Sequence, residues 1–134
     1  MVSSKRKGYG RERELVLLLE QNGWWASRLP ASGRHGGFDV VAAKNGKLVF
    51  FEVKAREAGT TVYLERWRWE EVLGEAAKAG AEAYLALRVP LMAGGVKWWL
   101  RPLNDPDSVS QNNVVFHPPA KAAGKWFKLE EKIY

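Results

Sequence analysis

The stretch Phe38-Asp39-Val40-Val41-Ala42-Ala43-Lys44-Asn45-Gly46-Lys47-Leu48-Val49-Phe50-Phe51-Glu52-Val53-Lys54 decides how this chain folds. Two apolar runs flank an Asn-Gly pair, a strong short-range hairpin signal, because a two-residue type I′ turn needs positive φ at both central positions. With Asn45 and Gly46 as the turn, Asp39 falls directly opposite Glu52. Strand alternation puts Lys54 on the same face, two residues beyond Glu52. Two carboxylates about 5 Å apart across a ladder repel each other. Their placement there predicts a cation between them.

Working outward, residues 1–8 read as a flexible basic arm, and Tyr9 to Asn22 as a helix with Glu12, Leu15, Val16 and Leu19 on one stripe. Gly23 stops it. Trp24 to Arg28 reads as a short strand, and Leu29 to Gly37 as a loop broken by Pro30, Gly33, Gly36 and Gly37. The hairpin strands span about 38–43 and 47–56. A short strand follows at Val62 to Leu64. A second helix from Glu65 to Gly80 carries the apolar stripe Trp69, Val72, Leu73, Ala76 and Ala77. Ala83 to Val89 and Val96 to Arg101 read as paired antiparallel strands. Residues 104–125 are loop-rich, with one strand candidate at Val114 to His117; Lys125 to Tyr134 fits a helix or a strand. Strands separated by a helix usually pair in parallel, so the expected fold is α/β, a central mixed β-sheet flanked by helices.

At 134 residues the chain is expected to form one domain, 1–134. It has no cysteine, which excludes disulfides and thiolate zinc sites. The longest aliphatic run, Leu15 to Leu19, is far short of the roughly 18 residues that span a bilayer. The basic start is followed by Arg11, Glu12, Arg13 and Glu14 rather than an apolar signal core, so the expected location is cytoplasmic, with no membrane partner. The net charge of +6 is unevenly placed: Lys5, Arg6, Lys7, Arg11, Arg13, Arg28 and Arg34 all precede Asp39. A basic surface gathered near an acidic cluster points to a polyanion such as nucleic acid.

Glu12 is the odd member of its stripe. Either it stays solvated at the helix end, or it reaches the acids at 39 and 52. Three carboxylates beside one lysine favour the second reading. Oxygen donors without His or Cys suit a hard cation, Mg²⁺ or Mn²⁺. Such an ion activates water and polarises a phosphoryl oxygen. Lys54 is then placed to orient the water or to stabilise charge at phosphorus. The competing reading of Asp39, Glu52 and Lys54 is a surface ion-pair ladder worth about 0–1 kcal/mol, which leaves the facing carboxylates unexplained.

These residues carry a resemblance. Arg6-Lys7-Gly8, Glu12-Arg13-Glu14-Leu15-Val16, Arg28, Ser32, Asp39-Val40-Val41-Ala42 and Glu52-Val53-Lys54 resemble the archaeal Holliday-junction resolvases of the PD-(D/E)-x-K nuclease superfamily, over roughly residues 6–90. The resemblance implies a restriction-endonuclease-like domain. It implies Glu12, Asp39, Glu52 and the backbone carbonyl of Val53 at the metal, Lys54 as catalytic lysine, and Ser32 near the reactive phosphate. Arg13 and Arg28 match basic positions associated with DNA contact, and Lys7 and Arg34 join them as candidate DNA-binding residues. Phe38 stands where the superfamily has proline, and the loop Gly33-Arg34-His35-Gly36-Gly37 is unusually rich in glycine. That loop lacks the Gly-Lys-[Ser/Thr] ending of a nucleotide P-loop, so no nucleotide cofactor is expected.

The reading is therefore a Mg²⁺-dependent endonuclease acting on four-way DNA junctions as a homodimer, one site for each of two symmetric nicks. The alternatives are a restriction- or repair-type nuclease on duplex or flap DNA, and an inactive DNA-binding module. Seven tryptophans are many for this length. Trp98 and Trp99 lie adjacent on a predicted strand, which sends one to the core and the other to a partner surface; Trp67 and Trp69 offer a similar split.

Overall fold

The computed structural model describes residues 4–29 and 38–133, with side chains from residue 10 onward. Its first element is helix α1 (Ser4–Gln21), followed by strands β1 (Trp25–Arg28), β2 (Val40–Lys44) and β3 (Lys47–Ala55). Then come β4 (Val62–Glu65), helix α2 (Arg66–Ala79), β5 (Glu82–Pro90) and β6 (Val96–Pro102). The chain ends with β7 (Ser108–Val109), β8 (Asn113–Phe116), β9 (Phe127–Lys128) and a one-turn helix α3 (Leu129–Lys132).

Six strands form the central sheet in the order β1-β2-β3-β5-β6-β9. β3 and β5 pair in parallel across the α2 crossover, and every other neighbour is antiparallel. The Asn45-Gly46 turn sets the β2–β3 register: both residues have positive φ, 51° and 81°, and Val40 pairs with Phe51. α2 ends as its sequence suggests, at Gly80, whose left-handed backbone (φ 67°) lets its N–H bond back to Ala76 and Ala77.

Both faces of the sheet are covered, so β3 is buried from Val49 to Val53. On one face Leu15 and Leu19 of α1 pack on Val40, Ala42, Phe51, Val53, Tyr84, Ala86 and Leu100. The Trp24 indole donates to the Ile133 carbonyl at 2.7 Å and ties the C-terminal turn beneath this helix. On the other face Val72 and Ala76 of α2 pack with Phe38, Phe50, Leu85 and Leu87. A second sheet, β4-β8-β7, contributes Val62, Leu64, Val114 and Phe116 to that same core.

Four expectations need correction. The helix starts at Ser4 rather than Tyr9, so much of the expected basic arm is helical; lysine and arginine are good helix formers, and Gly8 and Gly10 do not break the run. The loop-rich segment at 104–125 contains β7 as well as β8, because β8 pairs with the edge of β4 and β7 pairs in turn with β8. The last ten residues hold both a strand and a helix. Trp99 is not on an open surface: Trp98 is buried on the α1 face, and Trp99 packs against the α2 core. The tryptophans of α2 do split as expected, Trp69 bonding through its indole N–H to the Leu103 carbonyl at 2.7 Å and Trp67 remaining exposed. Among the described residues no helix is long and apolar enough to cross a membrane.

Candidate active site

The hairpin ladder ends at Val40 paired with Phe51, and Asp39, one residue beyond it, bonds the backbone on either side of Glu52. The Asp39 N–H donates to the Phe51 carbonyl at 2.9 Å, one step before β2 begins. There the side chain takes over from the backbone, Oδ2 accepting the Val53 N–H at 2.8 Å. One aspartate thus closes the end of the ladder and holds its own carboxylate beside β3. Phe38 and Phe50 stack beneath the site with ring centroids 3.5 Å apart.

Glu52 is only 2% exposed. Burial pushes its carboxyl up to about 7; the Arg68 guanidinium opposes the shift and the charge of Asp39 adds to it. The cation that meets both acids here is the guanidinium of Arg68. Its Nε donates to Glu52 Oε2 at 2.7 Å and its Nη2 to Oε1 at 3.1 Å, a bidentate fork, and Nη2 stands 3.6 Å from Asp39 Oδ1. The sequence contained a signal for this residue that the stripe read from Trp69 onward leaves out. Arg68, Val72 and Ala76 recur every four residues, and the latter two are buried against the sheet. An arginine on a buried stripe needs an acid in front of it.

Glu12 points from α1 toward the same region and accepts from Arg28 Nε of β1 at 3.2 Å. Burial, and next the charge of Asp39, raise its carboxyl above the usual range, while Arg28 pulls it down. Its link to the Asp39–Glu52 pair is electrostatic as the side chains stand. Lys54 lies on the Glu52 face of β3, and its charge acts on Glu52 to lower that group's pKa. Arg13 is exposed on a different flank of α1, lining a shallow hollow with Glu14, Leu17 and Gln21. Ser32 and Arg34 lie outside the described residues, as does the side chain of Lys7.

Among the described residues, no three carboxylate or imidazole groups stand close enough to hold one metal ion together. Asp39 and Glu52 nevertheless fit a cation: both offer only oxygen, and they already share a positive charge. A metal ion at this pair must compete with Arg68.

Comparison with known proteins adds a family to the geometry. The model of the archaeal Holliday junction resolvase (Hjc) family matches residues 3–129. The chain belongs to this family. It is similar to the crossover junction endodeoxyribonuclease Hjc of Sulfurisphaera tokodaii, 33% identical over 101 residues, which cover 73% of this chain and 70% of that protein. The Hjc of Archaeoglobus fulgidus is 30% identical over 133 residues, covering 97% and 83%. A solved structure of A. fulgidus Hjc, described as a Holliday junction resolvase from an archaeal hyperthermophile, matches with a TM-score of 0.79 at 25% identity, covering 95% of each chain. The central mixed sheet with helices is thus the architecture of an Hjc relative.

Proposed function

We propose that this Hjc-family chain is a divalent-metal-dependent endonuclease that resolves four-way DNA junctions through paired symmetric nicks, one from each protomer of a homodimer. One observation carries the reading: Asp39 and Glu52 meet at a single cation, with Lys54 two residues along the same strand face. Membership of the family, and the names of the relatives, support the substrate.

Glu12, Asp39, Glu52 and the backbone carbonyl of Val53 are the groups that would hold Mg²⁺, with Mn²⁺ able to substitute. When bound, the ion supplies a water of lowered pKa and offsets charge on the phosphodiester. Lys54 orients the attacking water and stabilises charge developing on the phosphoryl oxygens. In-line attack at phosphorus breaks the bond to the 3′ oxygen, leaving a 5′-phosphate and a 3′-hydroxyl. Lys7, Arg13, Arg28 and Arg34 are assigned to backbone phosphates and Ser32 to the reactive one, as the family pattern implies. Such contacts position DNA without reading bases, so the junction is recognised by its branch geometry. A two-fold dimer presents two sites to two strands of like polarity.

The test compares an immobile four-way junction with a linear duplex of the same sequence, each with Mg²⁺ and with chelator. Paired nicks in the junction alone, dependent on Mg²⁺, are expected. Preferential cutting of the linear duplex retires the resolvase assignment in favour of a repair-type nuclease. Binding without cutting of either substrate marks an inactive module.

A further inference from the structure

Arg68 has no chemical role in the reading above, yet it is the cation that grips the buried acid on which that reading depends. It is the third residue of α2, one and two turns before Val72 and Ala76, so the helix that caps this face of the sheet delivers the guanidinium to the acids. Its fork takes both oxygens of Glu52 and reaches Asp39, so one charge answers two carboxylates. A divalent ion shared by Asp39 and Glu52 needs at least one of the oxygens that Arg68 holds. The arginine side chain is 24% exposed, so it has a route to solvent or to a DNA phosphate without unpacking the helix.

We infer that Arg68 is a positioning residue that acts as the built-in counter-ion of the metal-free site, holding Asp39 and Glu52 together until a divalent cation displaces it from Glu52. This rests on the metal-site reading of Asp39 and Glu52. The competition has a definite sign. Removing Arg68 leaves the two carboxylates without their shared charge, destabilises the metal-free protein, and removes the competitor of the metal. Loss of a purely structural arginine would loosen the site and weaken metal binding; loss of a competing one tightens it.

The experiment is Mn²⁺ titration of the full-length protein, without DNA, following loss of the free Mn²⁺ electron paramagnetic resonance signal, together with melting in chelator and in Mn²⁺. Wild type, Arg68→Gln, Arg68→Lys and Asp39→Asn are compared. Arg68→Gln is expected to bind Mn²⁺ roughly tenfold more tightly than wild type, equivalent to about 1.4 kcal/mol. It should melt lower than wild type in chelator and gain more from Mn²⁺. Arg68→Lys, which keeps a charge but loses the fork, should fall between the two, and it carries the test should the glutamine variant not fold. Mn²⁺ binding by either folded Arg68 variant that is equal to or weaker than wild type overturns the competition, provided Asp39→Asn abolishes binding. Mn²⁺ binding that Asp39→Asn leaves untouched overturns the metal-site reading itself, and this inference with it.

Discussion

Asp39 carries two tasks on two oxygens. Oδ2 completes the strand ladder at the Val53 N–H, while Oδ1 faces Arg68. Asparagine keeps an acceptor for Val53 but has no charge for a metal. Asp39→Asn should therefore fold normally, its melting temperature within about 4 °C of wild type, the shift that roughly 1 kcal/mol makes in a domain of this size. Its Mg²⁺-dependent nicking should fall by about 100-fold or more, with junction affinity kept within several-fold in a gel-shift titration. Near-normal nicking by this variant would remove Asp39 from the mechanism. Here the acids were legible from their turn, whereas the arginine showed only as a four-residue spacing with Val72 and Ala76. Asp39 and Glu52 are joined by a two-residue turn, so local chemistry determines their meeting, whereas Arg68 reaches Glu52 only because a whole helix folds back over the sheet.

Among the elements, β3 carries three candidate site residues in succession, Glu52, Val53 and Lys54, with α1 packed on one face of the sheet and α2 on the other. The C-terminal strands are fastened differently, by Arg101 of β6, which is fully buried. Its Nη1 donates to Asp107 Oδ2 at 2.8 Å, its Nε and Nη2 to the Asp105 carbonyl at 3.0 and 2.6 Å, and its guanidinium lies 5.0 Å from the Phe116 ring centre. Asp107 also accepts the His117 N–H at 2.7 Å, so one ion pair staples β6 to β8. The Arg101 hydrogen bond holds the Asp107 carboxyl well below its ordinary 3.8, with the His117 N–H adding to the effect against burial. A depressed carboxyl stabilises the fold above its unfolded-state pKa and loses that contribution as pH falls toward the folded value. Asp107→Asn should cost about 1.5–3 kcal/mol at neutral pH. In urea titrations the deficit should narrow steadily as pH drops below about 4. A deficit independent of pH would mean that packing, not charge, fastens these strands. The pairing of this second sheet was the least legible part of the fold. Its strands β4 and β8 were expected, but β7, with two residues, carries no periodicity; β8 pairs with β4 from far away in the chain, and β7 pairs only with β8.

Across the whole molecule, the chain carries a net charge of +6. Junction binding that rests on phosphate neutralisation should lose roughly 10³-fold in affinity between about 50 and 200 mM salt. Sedimentation should give twice the 15.1 kDa mass of one chain for the free protein, and that mass plus the DNA's for the complex with the junction. A monomer on the junction would exclude paired nicking by one assembly. The hairpin, its register, the nearness of residues 39 and 52 and the parallel crossover follow from short-range chemistry, because a turn, strand alternation and a β-α-β connection act over short separations. The grip of Arg68 on Glu52, the bond from Arg28 to Glu12 and the joining of a second sheet to the α2 core exist only in the folded molecule. Each of those depends on where distant elements pack, and packing is set by the fit of whole buried faces rather than by any local run of residues.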